Sequence, residues 1–207
     1  MRPLPSLLLL LVCIGAGVCT QPTSAQTHID RPDSTAPGCM CIENSLALTP
    51  CAAGGSSQPT AQVMIARREI QQRIDQTIEA DEAKDVSAAM HFDTADFAVK
   101  NRDGSVSARA DVRKGIQQGY DWFYAVSDKT RVNIDCLTLK GNEASVYINQ
   151  HFVRTIPDRN DNSPHELITN VTHRETWVYT GQEWLRKYIE ELQEGPIFLD
   201  GQRYNPE

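Results

Sequence analysis

The sequence has 207 residues, with 20 lysines and arginines against 27 aspartates and glutamates, which gives a formal net charge of −7. Binding to nucleic acid requires a basic surface that neutralises phosphates, and this balance of charges does not supply one. Composition therefore excludes nucleic acid as a predicted partner and is typical of an acidic, water-soluble domain.

The first 25 residues have the pattern of a signal peptide. Arg2 precedes an apolar run at residues 7–14, and this run is much shorter than the roughly 20 residues that span a bilayer. Cleavage after Ala25 fits the small residues there, while residues 16–18 leave an earlier cut open. We therefore expect an exported protein, periplasmic or extracellular, with no membrane span.

Residues 26–62 are rich in Ser, Thr, Pro, Gly and Ala, which predicts a flexible tether. In an oxidising compartment Cys39 or Cys41 could pair with Cys51, and the pairing stays open. Cys136, in a strand-like run, is predicted to be a buried free thiol. No histidine lies near these cysteines at ligand spacing, and no phosphate-binding glycine loop is present, so neither a metal nor a cofactor is predicted.

The remaining residues, 63–207, have the length of one domain with one core. A first helix is predicted because apolar residues recur every four positions among polar ones, at Ile70, Ile74 and Ile78. Asp85 is placed to cap a second, short helix that runs to Met90, because its carboxylate can accept the free N–H groups of a first helical turn.

A short strand at Phe97 and Val99 follows, and residues 101–104 supply a turn. The apolar stripe of a third helix is then marked by Val112, Ile116 and Phe123. Four β-like runs complete the domain, at residues 129–140, 143–156, 166–180 and 183–192. Helices followed by strands in blocks predict an α+β fold, with three N-terminal helices packed on an antiparallel sheet.

Four segments resemble the nuclear transport factor 2-like superfamily and, within it, SnoaL-like domains: residues 84–86, 95–99, 172–178 and 181–184. The resemblance covers roughly 130 residues, a single-domain length. It implies a curved antiparallel sheet that wraps against the helices to form a conical cavity. In that superfamily the cavity is an enzyme site in some members and a binding pocket in others.

Ketosteroid isomerase, a member of this superfamily, provides a residue-by-residue comparison. Its catalytic base falls on Asn101, its tyrosine donor on Thr77, and its second, acidic donor on Glu175. An amide cannot abstract a proton, and only Glu175 retains an acid. Steroid-isomerase chemistry by this constellation is therefore not predicted.

The comparison also orients the sheet, because side chains alternate between the two faces of a strand. If Glu175 faces the cavity, His173 and Trp177 face it too. On the preceding strand the inward set is Ile148, Gln150 and Phe152, and the outward set is Tyr147, Asn149 and His151. On the last strand alternation puts Trp184, Arg186 and Tyr188 on one face and Leu185, Lys187 and Ile189 on the other, without fixing which face is inward. Tyr188 and, at the end of the third helix, Trp122 are further predicted lining residues, whereas Phe123 is predicted to be core.

Three functional hypotheses follow. The first is an exported domain that binds a small, partly apolar molecule of unknown identity. The second is an acid–base enzyme, such as an isomerase, cyclase or dehydratase, in which Glu175 and His173 couple their proton affinities. The third is a homodimer through the open face of the sheet, with Tyr147 and His151 at the interface.

Overall fold

The computed structural model describes residues 40–41, 61–158 and 160–204, with the first pair described in backbone only. The predicted signal peptide and all but a few residues of the predicted tether lie outside this part of the chain. The helices are α1 (Ala61–Glu82), α2 (Val86–Ala89) and α3 (Arg109–Trp122). The strands are β1 (Met40–Cys41), β2 (Asp93–Lys100), β3 (Val106–Ala108), β4 (Ala125–Val126), β5 (Arg131–Lys140), β6 (Glu143–Pro157), β7 (Pro164–Tyr179), β8 (Trp184–Glu194), β9 (Ile197–Leu199) and β10 (Gln202–Tyr204).

The three predicted helices form where periodicity and capping place them. In α1 the residues that face the sheet are buried, with Ile70 fully enclosed. Asp85 caps α2, because its Oδ1 accepts the backbone N–H groups of Ser87 and Ala88 at 2.9 and 3.0 Å. None of the three described helices has the length and hydropathy of a membrane span.

The four predicted β runs are β5 to β8, which pair in sequence as an antiparallel meander. Glycines with positive φ, Gly141 (62°) and Gly181 (94°), turn two of the connections. In the described part of the chain the main path of the sheet runs β1-β5-β6-β7-β8-β2-β3. The sequence predicts an antiparallel sheet, and this is wrong at one pairing. Strand β2 pairs with β8 in parallel, and the long connection between them contains α3 and the meander.

Three strand pairings were not predicted, because the strands β1, β9 and β10 are too short to show periodicity. Backbone of Met40 and Cys41, inside the predicted tether, pairs with β5 opposite Leu137 and Cys136. At the other end, β9 and β10 form a hairpin, which we call the C-terminal hairpin (residues 197–204), and β9 also pairs with β7.

Cys136 is buried and disulfide-bonded, so the prediction of a free thiol is wrong. The reason is the pairing of β1 with β5, which brings a cysteine-containing segment directly beside Cys136. The partner sulfur lies outside the described side chains, as do the alternative pairings among Cys39, Cys41 and Cys51.

The buried apolar residues form two clusters. The α1 cluster joins α1 to the sheet and includes Ile70, Ile74, Ile134, Ile148, Trp177 and Trp184. The α3 cluster joins α2 and α3 to the sheet and includes Met90, Phe97, Val112, Ile116, Phe123 and Ile156.

Candidate functional site

Buried polar side chains lie where the two clusters meet. The guanidinium carbon of Arg186 is 5.2 Å from the ring centroid of Phe97, in the α3 cluster, and 5.9 Å from that of Trp177, in the α1 cluster. We call this group the interior polar layer: Asp81, Asp93, Tyr120, Arg154, His173, Glu175 and Arg186. Because buried charges need partners, the hydrogen bonds of this layer decide what it can do.

Glu175 is the most fully engaged member of the layer. The alternation of β7 buries His173, Glu175 and Trp177 on one face, which is the orientation that the sequence predicts. Glu175 Oε2 accepts a hydrogen bond from the Trp177 indole at 2.7 Å. Its Oε1 lies 3.2 Å from His173 Nε2 and 3.3 Å from an Arg186 nitrogen. Three groups therefore hold one carboxylate.

Arg186 binds a second acid, because its Nε donates to Asp93 Oδ1 at 2.8 Å. Burial opposes ionisation of Glu175, but the charge of Arg186 and the hydrogen bonds from His173 and Trp177 outweigh it and lower the pKa of Glu175 to about 2. Burial likewise opposes the charge of Arg186, yet Asp93 and Glu175 raise its pKa above the ordinary value. Glu175 is thus a fixed anion at neutral pH.

Asp81, at the end of α1, has a different setting. Its Oδ1 accepts a hydrogen bond from the hydroxyl of Tyr120 on α3. Burial raises the pKa of Asp81 to about 6, although the Tyr120 hydrogen bond and the charges of Arg154 and Arg186 act in the opposite direction. The pKa of Asp81 therefore lies close to neutral pH.

Arg154, on the inner face of β6, balances Asp81 through its charge. Its guanidinium carbon lies 4.1 Å from the Phe152 ring centroid and 5.8 Å from that of Phe123, and its Nε has no hydrogen-bond partner. Burial lowers the pKa of Arg154 to about 10, a value that leaves it charged at neutral pH. The guanidinium is stabilised by aromatic rings more than by hydrogen bonds.

Several predicted lining residues are close to this layer. Gln150 and Phe152 are buried on the inner face of β6, together with Arg154. Trp122 is partly buried against the α3 cluster, and Phe123 is part of it, as predicted for Phe123.

Two residues matched to the isomerase have local bonds instead. Asn101 is buried in the β2–β3 turn, where its Nδ2 donates to Ser105 Oγ at 2.8 Å. The Thr77 hydroxyl donates to the Arg73 carbonyl, one turn earlier in α1, at 3.0 Å. Both bonds stabilise backbone segments.

The structure does not place Tyr188 in the interior. Trp177 pairs with Arg186 but Thr176 pairs with Tyr188, so Lys187 is an extra residue that forms a β-bulge. The bulge reverses the alternation, and Tyr188 lies beside Thr176 on the face opposite the helices. Tyr147 also differs from its predicted role, because it is only 5% exposed and hydrogen-bonds Arg174.

An open surface groove with a volume of about 410 Å³ lies where the C-terminal hairpin meets the β2–β3 turn, and we call it the hairpin groove. Its size is within the range of small-molecule sites. The lining residues are Arg102, Gln193, Glu194, Gly195, Pro196, Ile197, Arg203 and Tyr204. Gly195 is required for this shape, because a Cβ there would lie 2.9 Å from the Cβ of Asn170.

Glu191 connects the groove to the interior polar layer. It pairs with His173 across β7 and β8, and it accepts a hydrogen bond from the backbone of Arg102. Burial raises the pKa of its carboxyl above the ordinary value. In residues 61–158 and 160–204, no group of three or more His, Cys, Asp or Glu side chains is arranged to hold a metal ion.

Comparison of the sequence with protein-family models and with curated proteins finds no match. Solved structures do match the fold. A Novosphingobium aromaticivorans protein whose name proposes a scytalone dehydratase aligns with a TM-score of 0.51 at 12% identity, over 65% of this chain and 87% of its own. A Streptomyces avermitilis protein, named as a proposed dehydratase of the nuclear transport factor 2-like family, gives 0.51 at 11% identity, over 63% and 99%.

A Salmonella enterica protein of the nuclear transport factor 2-like superfamily aligns with a TM-score of 0.50 at 11% identity, over 64% of this chain and 93% of its own. The chain therefore has the nuclear transport factor 2-like fold, an α+β architecture of three helices on a curved sheet, as the resemblance implies. That fold carries both small-ligand binders and dehydratase- or isomerase-type enzymes.

Proposed function

We propose that this chain is an exported domain that binds a small molecule in the hairpin groove. The observation that carries the proposal is the groove itself, whose volume of about 410 Å³ suits a ligand. Its lining combines the ring of Pro196 with the phenol of Tyr204 and the polar ends of Gln193 and Arg203. Such a mixture provides burial for a ligand body and directional bonds for its polar groups.

The acid–base alternative through Glu175 and His173 has less support. A general base must accept a proton near the working pH, and a carboxyl with a pKa of about 2 that already binds Arg186 and Trp177 is a poor acceptor. The names of the two proposed dehydratases apply to those proteins, since 11–12% identity supports only a common fold.

Export is supported by two features. Arg2 and the apolar run at residues 7–14 have signal-peptide character, and the disulfide at Cys136 is typical of oxidising compartments. Intact-mass measurement of the protein recovered outside the cytoplasm tests this point. Loss of about the first 25 residues supports export, and a full-length chain confined to the cytoplasm contradicts it.

Blocking the groove tests the binding function. A thermal-shift screen of the mature chain against small carboxylates, amides and neutral aromatics should give stabilising compounds, because a ligand of the native state raises Tm. Gln193→Trp places a bulky ring on the groove lining and should abolish these shifts. Gln72→Trp, on the exposed face of α1, is the matched control and should retain them. Compounds that stabilise both variants equally would place binding elsewhere and refute the groove.

A further inference from the structure

The charge of the hairpin groove differs from that of the whole chain. Two arginines and one glutamate line it, which gives 2 − 1 = +1, in a protein of net charge −7. A positive lining in an acidic protein attracts anions locally and is not explained by average composition.

The two arginines are not equivalent. Arg102 pairs with Glu194 at 2.5 Å. Arg203 lines the same groove and is exposed, and its side chain forms no hydrogen bond or ion pair with any residue in the described part of the chain. One cation is therefore neutralised from within the chain, and the other is free to bind a ligand.

We propose that the hairpin groove recognises an organic anion, a small carboxylate with an apolar or aromatic body, through Arg203 and Arg102. This inference rests on the proposed function and names its ligand class. The planar guanidinium fork matches a carboxylate in two parallel hydrogen bonds. Pro196 and Tyr204 provide the surface for the ligand body.

In this arrangement Glu194 is an internal competitor for the ligand. Its carboxylate already occupies Arg102, in the position that a ligand carboxylate would take. The Arg102 and Glu194 side chains are 50% and 25% exposed, and exposed ion pairs of this kind are weak. The ligand can therefore displace Glu194 from Arg102 at small cost.

Benzoate and benzamide are suitable probes, because they share a shape and differ in charge. Each is titrated into the ¹⁵N-labelled mature chain while amide shifts are recorded by NMR. We expect benzoate to shift the amides of Arg102, Gly195 and Arg203, and to bind at least about threefold more tightly than benzamide.

Three variants sharpen the test. Arg203→Gln should weaken benzoate binding about threefold to fivefold, the scale of one exposed charge pair. Glu194→Gln should tighten it about twofold to threefold, because the competing carboxylate is gone. Arg68→Gln, an exposed arginine on α1, has the same change of charge and should leave binding unchanged.

The outcomes distinguish a failure of the proposed ligand class from a failure of the proposed binding function. Tighter binding of benzoate by Glu194→Gln supports the anion, since a merely structural role of Glu194 would weaken binding. Equal binding of benzoate and benzamide, unaffected by Arg203→Gln but lost in Gln193→Trp, overturns the anion and leaves the groove as a site. Shifts confined to residues away from the groove overturn both.

Discussion

Two buried carboxyls, Glu175 and Asp81, have similar depth and opposite character. Their residues are 2% and 5% exposed. Yet the pKa of Glu175 falls from 4.5 to about 2, and that of Asp81 rises from 3.8 to about 6. Glu175 is held by Arg186, His173 and Trp177, whereas Asp81 accepts one hydrogen bond, from Tyr120. Partners rather than depth decide the charge of a buried acid.

The two carboxyls also act on stability in opposite directions. Glu175 has a lowered folded-state pKa, so its contribution is present above about pH 4.5 and is lost as pH falls through about 2. Asp81 has a raised folded-state pKa, so its contribution to stability is full below pH 3.8 and is lost as pH rises through about 6. The same layer therefore contains one group that favours high pH and one that favours low pH.

Removing Arg186, the cation shared by Glu175 and Asp93, should cause the largest change in the free energy of unfolding. Arg186→Met leaves Glu175 and Asp93 buried without their ion pair, and we expect a loss of about 3–5 kcal/mol in the free energy of unfolding. Urea denaturation at pH 7 measures it. Lys187→Met, the next residue, is exposed and 4.0 Å from the exposed Asp96, and should change stability by less than about 0.5 kcal/mol. Equal losses in both would contradict the buried network.

Neutralising Glu175 should have the next largest effect. Glu175→Gln retains the size of the side chain but removes the anion. We expect the free energy of unfolding to fall by about 3 kcal/mol at pH 7, because the pKa of Glu175 is lowered from 4.5 to about 2 and each pKa unit corresponds to about 1.4 kcal/mol. The difference from wild type should shrink as urea denaturation is repeated at pH 4 and pH 3. A loss that is independent of pH would mean that the charge is not what Glu175 contributes.

Neutralising Asp81 should have a smaller effect of opposite sign. Asp81→Asn removes a charge whose burial outweighs its partners, while an amide oxygen still accepts the Tyr120 hydroxyl. We expect a gain of about 1–2 kcal/mol at pH 8 that disappears at pH 4.5, where wild-type Asp81 is protonated. Destabilisation at pH 8 would show that ionised Asp81 is needed to balance Arg154 and Arg186.

Local patterns predicted the helices, the meander and the inward face of β7. Apolar spacing in α1, the cap at Asp85 and the alternation around Glu175 each depend on residues close in sequence. Alternation also predicts that Arg186 and Tyr188 share one face of the last strand, and this is wrong because a β-bulge at Lys187 reverses the alternation between them. Nothing in the local sequence signals that bulge.

The interior polar layer and the groove could not be predicted in this way. Arg186 and Asp93 are 93 residues apart, and Tyr120 and Asp81 are 39 apart, so their meeting depends on how β2 and α1 pack. The alternation of side chains along β6 is sufficient to predict that Arg154 faces inward, because Arg154 lies on the same face as Gln150 and Phe152. The groove required the C-terminal hairpin, whose three-residue strands carry no periodic signal.

Direct titration of Glu175 is the most decisive measurement, because a permanently ionised Glu175 is what favours a binding domain over an acid–base pair. Side-chain carboxyl carbons of the ¹³C-labelled protein are followed by NMR from pH 8 to pH 3, with Asp81 as the internal comparison. We predict that Asp81 titrates with a midpoint near 6 while Glu175 remains ionised throughout. A Glu175 midpoint between about pH 5 and 7 would contradict this account and restore Glu175 and His173 as an acid–base pair.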